Sequence, residues 1–197
     1  MNRRKKLLDW ALVFTLALGA ATSASASRFV RVDMDYLVAE NETIVIGEVL
    51  EAHSYWNNLG NFILTDAKIA VSEVLKGGPN LREVTVTLPG GSVGELSTVV
   101  VGGAELQSGS TYVLFLRKGN LPGVVGVQTV GAHSQGVFEV KMGQDGPRAV
   151  SQANGQALVP DAFGKAGAAG GVQGLSLETM KQTVRELAAR GGRKEVK

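Results

Sequence analysis

Apolar and polar residues alternate through the middle of the chain and predict strands rather than helices. Residues 84–88 read Val-Thr-Val-Thr-Leu and stop at Pro89-Gly90-Gly91, which is typical of a half-buried strand followed by a turn. Residues 112–116 are apolar without alternation, which indicates a strand buried on both faces. We therefore expect the sheet to be centred between residues 84 and 116.

The other predicted strands lie on both sides of this stretch. Residues 43–55 and 62–74 form two long strands, separated by a hairpin loop at residues 57–61. Gly47 lies inside the first of them and predicts a bend or bulge. Shorter strands are predicted at residues 124–129, 136–142 and 148–150. Six or seven strands joined by short turns predict an all-β fold, a small antiparallel barrel or a sandwich.

Two helices are predicted outside the strands. Residues 34–39 form a short N-terminal helix capped by Asp33. Residues 177–190 form a C-terminal amphipathic helix that is capped by Ser176 and has a narrow apolar stripe. We expect this helix to pack on the strands, and the alternative is a docking helix for another protein. Because a Gly/Ala-rich linker precedes it, we also expect deletion from Pro160 onward to leave a cooperative fold.

The first 26 residues have the layout of a secretory signal peptide. A basic head precedes an apolar run at residues 7–21, and Ala24-Ser25-Ala26 provides a cleavage motif. The run is shorter than the ~20 residues that a membrane anchor needs. We expect cleavage after Ala26 and an exported, periplasmic or extracellular protein. The predicted organisation is a signal peptide at 1–26, a β-barrel domain at 27–159, a linker at 160–174, a helix at 175–191 and a charged tail at 192–197.

The composition of the chain argues against some classes of binding partner. The predicted signal peptide carries four of the 20 basic residues and one of the 18 acidic residues, so the mature chain is close to neutral. A nucleic-acid-binding surface needs an excess of Lys and Arg, and we expect neither nucleic-acid binding nor stable membrane insertion after cleavage. The chain has no cysteine and is 44% hydrophobic, so the core supplies the stability that disulfides give many exported proteins.

Catalytic and metal-binding chemistry has few candidate residues. His53 and Ser54 are neighbours in a predicted strand, where adjacent side chains point to opposite faces. His133 lies in a glycine-rich turn. The carboxylate pairs Asp33/Asp35 and Glu40/Glu42 are interpreted as solvated helix caps. We expect no enzyme, no metal site and no cofactor.

The glycine-rich segment at residues 89–94 has two interpretations. Its composition suggests a phosphate-binding loop, but no Lys-Ser/Thr follows it and no helix is predicted after it. We therefore interpret it as a wide turn.

The predicted hairpin tip carries the strongest binding candidates. Tyr55, Trp56, Asn57 and Asn58 are consecutive there, and exposed Tyr and Trp are favoured anchors at protein interfaces. The alternative is that Trp56 folds under the barrel and plugs one end.

Several short motifs follow one another in an order and spacing that resemble a known family. They are Val45-x-Gly47-x-Val49, Tyr55-Trp56, Thr65, Val71-x-x-Val74-Leu75-Lys76-Gly77, Pro89-Gly90-Gly91-x-x-Gly94, Gly102, Gly109, Phe115-Leu116 and Gln135-Gly136-x-Phe138. The chain is similar to secreted bacterial proteins of undefined function that have an OB-type barrel like that of the tissue inhibitors of metalloproteinases and netrin-like domains. The resemblance implies a small antiparallel OB-like barrel of six or seven strands. The inhibitors proper use an amino-terminal cysteine to fix the zinc-chelating residue, and this chain has none.

Two functional hypotheses follow. The first is a secreted, non-enzymatic protein-binding module, for example a protease inhibitor or an accessory of an exported protease. It would act through the mature amino terminus, Ser27 and Arg28, and through Tyr55, Trp56, Asn57 and Asn58. The second is a carrier that holds a glycan, a lipid or another small ligand on the barrel face.

Overall fold

The computed structural model describes residues 29–153, 158–159 and 174–191. The predicted signal peptide, residues 160–173 of the predicted linker and the predicted tail lie outside the described residues. The strands are β1 (Phe29–Val30), β2 (Thr43–Trp56), β3 (Ile63–Lys76), β4 (Glu83–Pro89), β5 (Gly91–Val93), β6 (Leu96–Thr98), β7 (Thr111–Leu121), β8 (Val124–Val130), β9 (Val137–Gly143), β10 (Gly146–Ser151), β11 (Leu158–Val159) and β12 (Leu175–Ser176). The helices are α1 (Met34–Glu40), α2 (Leu177–Gly191) and a 3₁₀ turn (His133–Gly136).

An antiparallel sheet of eight strands dominates the fold. Its order is β12-β10-β9-β7-β2-β3-β4, and β8 also pairs with β7. Two small pairs, parallel β1–β11 and antiparallel β5–β6, lie outside it. The prediction of a mostly β, antiparallel fold with two helices is confirmed. The predicted closure into a barrel is not confirmed, because the hydrogen-bonded order of the described strands ends at β4 and at β12.

The long strand β2 is bent by irregularities in its pairing with β3. Register shifts occur at Ile44/Val45, Ile46/Gly47 and Val49/Glu51, which confirms the predicted bulge at Gly47. A Cβ at Gly47 would lie 2.6 Å from the carbonyl oxygen of Ala70, so the strands approach there more closely than another residue would allow.

Two apolar clusters cover the two faces of the central strands. Along β7, Tyr112, Leu114 and Leu116 belong to the first cluster, whereas Val113 and Phe115 belong to the second. This alternation of fully buried side chains confirms that residues 112–116 are buried on both faces.

The two helices close the second cluster. The Asp33 carboxylate accepts a 2.8 Å hydrogen bond from the backbone N–H of Tyr36, which confirms the predicted cap of α1. The Ser176 hydroxyl accepts one of 3.1 Å from Thr179 at the start of α2. Met180 is fully buried in the second cluster, so α2 packs on the sheet as predicted. Removal of α2 would uncover this cluster, so the packing weighs against the expectation that deletion from Pro160 onward costs little stability, which stays a prediction.

The chain after β4 differs from the prediction. The segment interpreted as a wide turn contributes β5, which pairs with β6 to form a short hairpin. Strand β7 also continues beyond residue 116 to Leu121, where it pairs with β8. Among the residues described, no helix combines the length and the apolar character needed to cross a membrane.

Candidate functional site

The distal half of β2 and the first half of β3 form an arm, defined here as residues 50–68. Strand β2 pairs with β7 only as far as Glu48. Val49 then exchanges backbone hydrogen bonds with the loop before β7, at 3.0 Å to the Ser110 carbonyl and 2.8 Å from the Gly109 N–H. Beyond Val49, the ladder partner of β2 within the described chain is β3 alone. The arm therefore has one strand edge without a ladder partner among the described residues.

The outer face of the arm carries a small polar and aromatic cluster. The rings of His53 and Tyr55 stack with centroids 6.5 Å apart and an angle of 11° between their planes. Asp66 accepts hydrogen bonds from the Tyr55 hydroxyl at 3.2 Å and from the Thr87 hydroxyl at 2.7 Å. Desolvation, followed by the charge and hydrogen bond of Asp66, raises the pKa of Tyr55 above its ordinary value. Tyr55 is therefore a neutral hydrogen-bond donor at physiological pH.

The neighbouring serine is held on the other side of the arm. The Ser54 hydroxyl lies 2.8 Å from the Thr65 hydroxyl on the paired strand. Because adjacent strand residues alternate between faces, Ser54 and His53 do not meet as a nucleophile and base.

The arm ends in a loop in which two of the predicted binding residues, Asn57 and Asn58, differ in exposure. Asn57 is only 3% exposed. Its Oδ1 accepts from the backbone N–H groups of Asn61 and Phe62 at 3.1 and 3.3 Å, and its Nδ2 donates to the Asn61 side chain at 3.0 Å. This buried position offers little side-chain surface to a partner. Asn58 is exposed and donates a 3.2 Å hydrogen bond to the Gly123 carbonyl.

Apolar side chains are exposed on the arm. Trp56 is 39% exposed and lies outside both apolar clusters. This position does not favour the alternative in which Trp56 folds under the barrel and plugs one end. Leu50 is 50% exposed and Leu59 is also exposed. The sequence analysis missed Leu50, because its exposure results from the irregular pairing between Val49 and Glu51. No simple alternation pattern reveals that irregularity.

The predicted amino-terminal binding residues, Ser27 and Arg28, lie outside the described residues. The chain just after them is held by the buried side chain of Gln135. Its Nε2 donates to the Val30 carbonyl at 2.9 Å, and its Oε1 accepts from the Val32 N–H at 2.9 Å. This segment is therefore fixed to the 3₁₀ turn.

A cavity of about 310 Å³ lies where α1, β7, β8 and the 3₁₀ turn meet. Polar side chains in its wall include Tyr36, Glu40, Asn41, Arg117 and His133. The sequence analysis named Glu40 and His133 only as cap and turn residues. It gave no reason to single out Asn41 or Arg117. The position of Arg117 depends on the pairing of β7 with β8, and that of Asn41 on packing against Gly131, which is distant in the chain.

Metal-binding side chains do not cluster in the described part of the chain. Within it, no group of three or more His, Cys, Asp or Glu side chains is arranged to hold a metal ion. Comparison of the sequence with protein-family models finds no match, and comparison with curated proteins finds no similar one.

Proposed function

We propose that this chain is an exported, non-enzymatic protein-binding module whose partner is another exported protein, for example a protease. The proposal rests on the arm, because its open strand edge lies next to exposed apolar side chains. Leu50 and Trp56 are at the two ends of this edge. A strand edge with unpaired backbone groups is a template for pairing with another extended chain.

The mode of binding that fits the arm is strand addition. In this mode an extended peptide forms backbone hydrogen bonds with a sheet edge, and pockets for alternate side chains give specificity. The open edge of residues 50–56 carries only one formal charge, at Glu51. Edge strands that avoid association are usually guarded by several charges, by proline or by shortness. The proposed occupant is therefore an extended segment of the partner protein.

We further propose an OB-like arrangement of the sheet, related to that of the metalloproteinase inhibitors and netrin-like domains. An OB-fold is a partly open, five-stranded Greek-key barrel. Strands β4, β3, β2, β7 and β8 follow one another by pairing, and β8 also packs against β4. This packing supports a barrel that is partly open between β4 and β8. Because the chain has no cysteine, the proposal does not include chelation of a protease zinc by the inhibitors' mechanism.

The alternative of a ligand carrier has less support on the sheet itself. A ligand on the inner face would need a concave surface with polar and aromatic side chains. The first apolar cluster fills that face with residues such as Val49, Ile69 and Leu114. Because this face is filled and the edge of the arm is open, we favour protein binding over a ligand on the sheet face.

Site-specific photo-crosslinking in the producing cell tests the proposed function. A photoreactive phenylalanine analogue at Leu50 or Trp56 should give a discrete adduct with one exported protein, identified by mass spectrometry. Met142, which is 83% exposed in β9, is the matched control and should give no such adduct. Leu50→Lys should also abolish the adduct trapped at Trp56. If the arm gives no adduct, or if Met142 gives the same one, the proposal is wrong.

A further inference from the structure

We propose that the open edge of the arm selects an extended segment in which apolar residues alternate with basic ones, so that the partner is a protein that carries such a segment. This inference deepens the proposed protein-binding function and rests on it. Three observations support it: the backbone groups that the edge offers, the charge on one face of the arm and the apolar character of the other face.

Three residues of β2 direct their backbone hydrogen-bonding groups toward the open edge. The Asn57 N–H donates a 2.8 Å hydrogen bond to the Phe62 carbonyl, so these two residues form a hydrogen-bonded pair at the end of the hairpin. Hydrogen-bonded and non-hydrogen-bonded pairs alternate along an antiparallel ladder. The N–H and C=O groups of Ala52, Ser54 and Trp56 therefore point away from β3. An added strand would bind to these groups.

One face of the arm is acidic along this edge. Glu48 and Glu51 are opposite Ala70 and Lys68 in the ladder, and because these are alternate residues of β3, the two glutamates share a face. Both glutamates are exposed, and neither forms a hydrogen bond or an ion pair within the described chain. Lys68 does not pair with them, since its ammonium lies 3.3 Å from the Glu83 carboxylate on β4.

An added strand would place alternate side chains beside these unpaired carboxylates. Side chains directly opposite each other on paired strands have Cβ atoms about 4.5–5.5 Å apart. Opposite charges at that distance stabilise the pairing, and like charges destabilise it. Lysine or arginine is therefore favoured at these positions of the partner, and aspartate or glutamate is disfavoured.

The other face of the arm is apolar. Ala52 and Trp56 are opposite Ala67 and Ile63, which are both fully buried. Ala52 and Trp56 themselves remain exposed beside the open edge. The Ser54 hydroxyl, between them, is bonded to the paired strand. Apolar side chains at the remaining alternate positions of an added strand would continue this face and remove apolar surface from water.

Two-dimensional NMR titration of the purified protein with seven-residue peptides tests this proposal. One peptide alternates valine with lysine, the second valine with glutamate and the third serine with lysine. The valine–lysine peptide should shift the backbone amides of Ala52, Ser54 and Trp56 in a saturable way. It should bind at least about tenfold more tightly than the valine–glutamate peptide, because of the charges, and than the serine–lysine peptide, because of the apolar contacts.

Charge variants show whether the two glutamates cause the preference. Replacement of both, Glu48→Lys with Glu51→Lys, should reverse the order, so that the valine–glutamate peptide binds more tightly than the valine–lysine peptide. Glu51→Lys alone should reduce the preference for lysine by at least about threefold. Glu42→Lys, at an exposed position before the other end of β2, makes the same change and should leave the preference as it is.

Four results would overturn the proposal: no saturable shift with the valine–lysine peptide, equal binding of the valine–glutamate peptide, equal binding of the serine–lysine peptide, or a preference that the double variant does not change. Photo-crosslinking separates this failure from that of the proposed function. If crosslinking at the arm traps an exported protein and one of the four results is obtained, only the selection of an alternating apolar and basic segment is wrong. If crosslinking also fails, the proposed function is wrong.

Discussion

Asn57, at the tip of the β2–β3 hairpin, donates a 3.1 Å hydrogen bond to the backbone carbonyl of Pro122, at the tip of the β7–β8 hairpin. The two residues are 65 positions apart in the chain. The same buried amide accepts two backbone N–H groups of its own loop. One side chain therefore shapes the end of the arm and joins it to another hairpin.

Asn57→Ala should lower the free energy of unfolding by about 1–3 kcal/mol, because the loop N–H groups and the Pro122 carbonyl lose their partner. Urea denaturation measures this loss. Asn58→Ala is the matched control, because Asn58 is exposed and makes a single hydrogen bond to Gly123. It should change stability by no more than about 0.5 kcal/mol. Equal losses in the two variants would contradict the role assigned to Asn57.

Met180→Ala should destabilise the protein by about 2–5 kcal/mol, through lost apolar burial and the cavity that remains. Met180 is fully buried where α2 meets the sheet. Met142→Ala makes the same chemical change at an exposed position and should have almost no effect. Thermal unfolding followed by near-ultraviolet circular dichroism compares the two. A silent Met180→Ala would mean that α2 contributes little to the core.

Two neighbouring substitutions in the loop after β8 should act in opposite directions. Gly131→Ala should destabilise the fold by about 1–3 kcal/mol, because its Cβ would overlap the Asn41 amide. Ala132→Gly should stabilise it by about 0.5–1 kcal/mol, since glycine adopts the left-handed conformation at φ 53° without strain. Chemical denaturation measures the sign of the change in the free energy of unfolding for each variant. Stabilisation by Gly131→Ala would show that Asn41 is not packed against that residue.

Tyr55 gives the fold a dependence on alkaline pH. Burial and the neighbouring Asp66 raise the pKa of its phenol, so the folded state retains the phenolic proton more strongly than the unfolded chain. The resulting stability is fully present below about pH 10 and is lost as the pH rises through the pKa of the folded state. Asp66→Asn should lower this pKa only in part, because desolvation is the larger cause.

Spectrophotometric titration of phenolate formation measures the pKa of Tyr55. The Tyr55 signal has to be identified by subtraction, using Tyr55→Phe as the reference, because the chain contains two other tyrosines, Tyr36 and Tyr112. An unchanged or higher pKa in Asp66→Asn would refute the assigned contribution of the carboxylate.

The periodicity of the sequence was enough to predict most of the sheet. Strands β2, β3 and β4, the first half of β7 and both helices fall close to their predicted positions, because their apolar spacing matches the faces they bury. The β5–β6 hairpin was not predicted, since strands of three residues are too short to show alternation. The pairing of β7 with both β8 and β9 depends on contacts between distant residues, which local patterns do not contain.

The candidate sites were less predictable than the sheet. Tyr55 and Trp56 were chosen as candidates because exposed Tyr and Trp are favoured anchors at interfaces and a hairpin tip is difficult to bury. Asn57 was assigned to the binding surface, although its burial depends on Pro122 in a distant turn. The cavity was not predicted, because Asn41 and Arg117 are separated by most of the sheet and neither belongs to a recognisable motif.

The contribution of α2 to the second cluster determines when folding can finish during synthesis. A chain that emerges from its amino terminus can pair β2 with β3 and β7 early, yet Met180 and Val184 emerge only after all of these strands. Until α2 is present, the side chains of Ile44, Val113 and Phe115 are only partly buried. Such exposed apolar surface favours aggregation and chaperone binding. A chain terminated before α2 would expose the same apolar surface permanently. We expect chaperones and proteases to recognise such a chain.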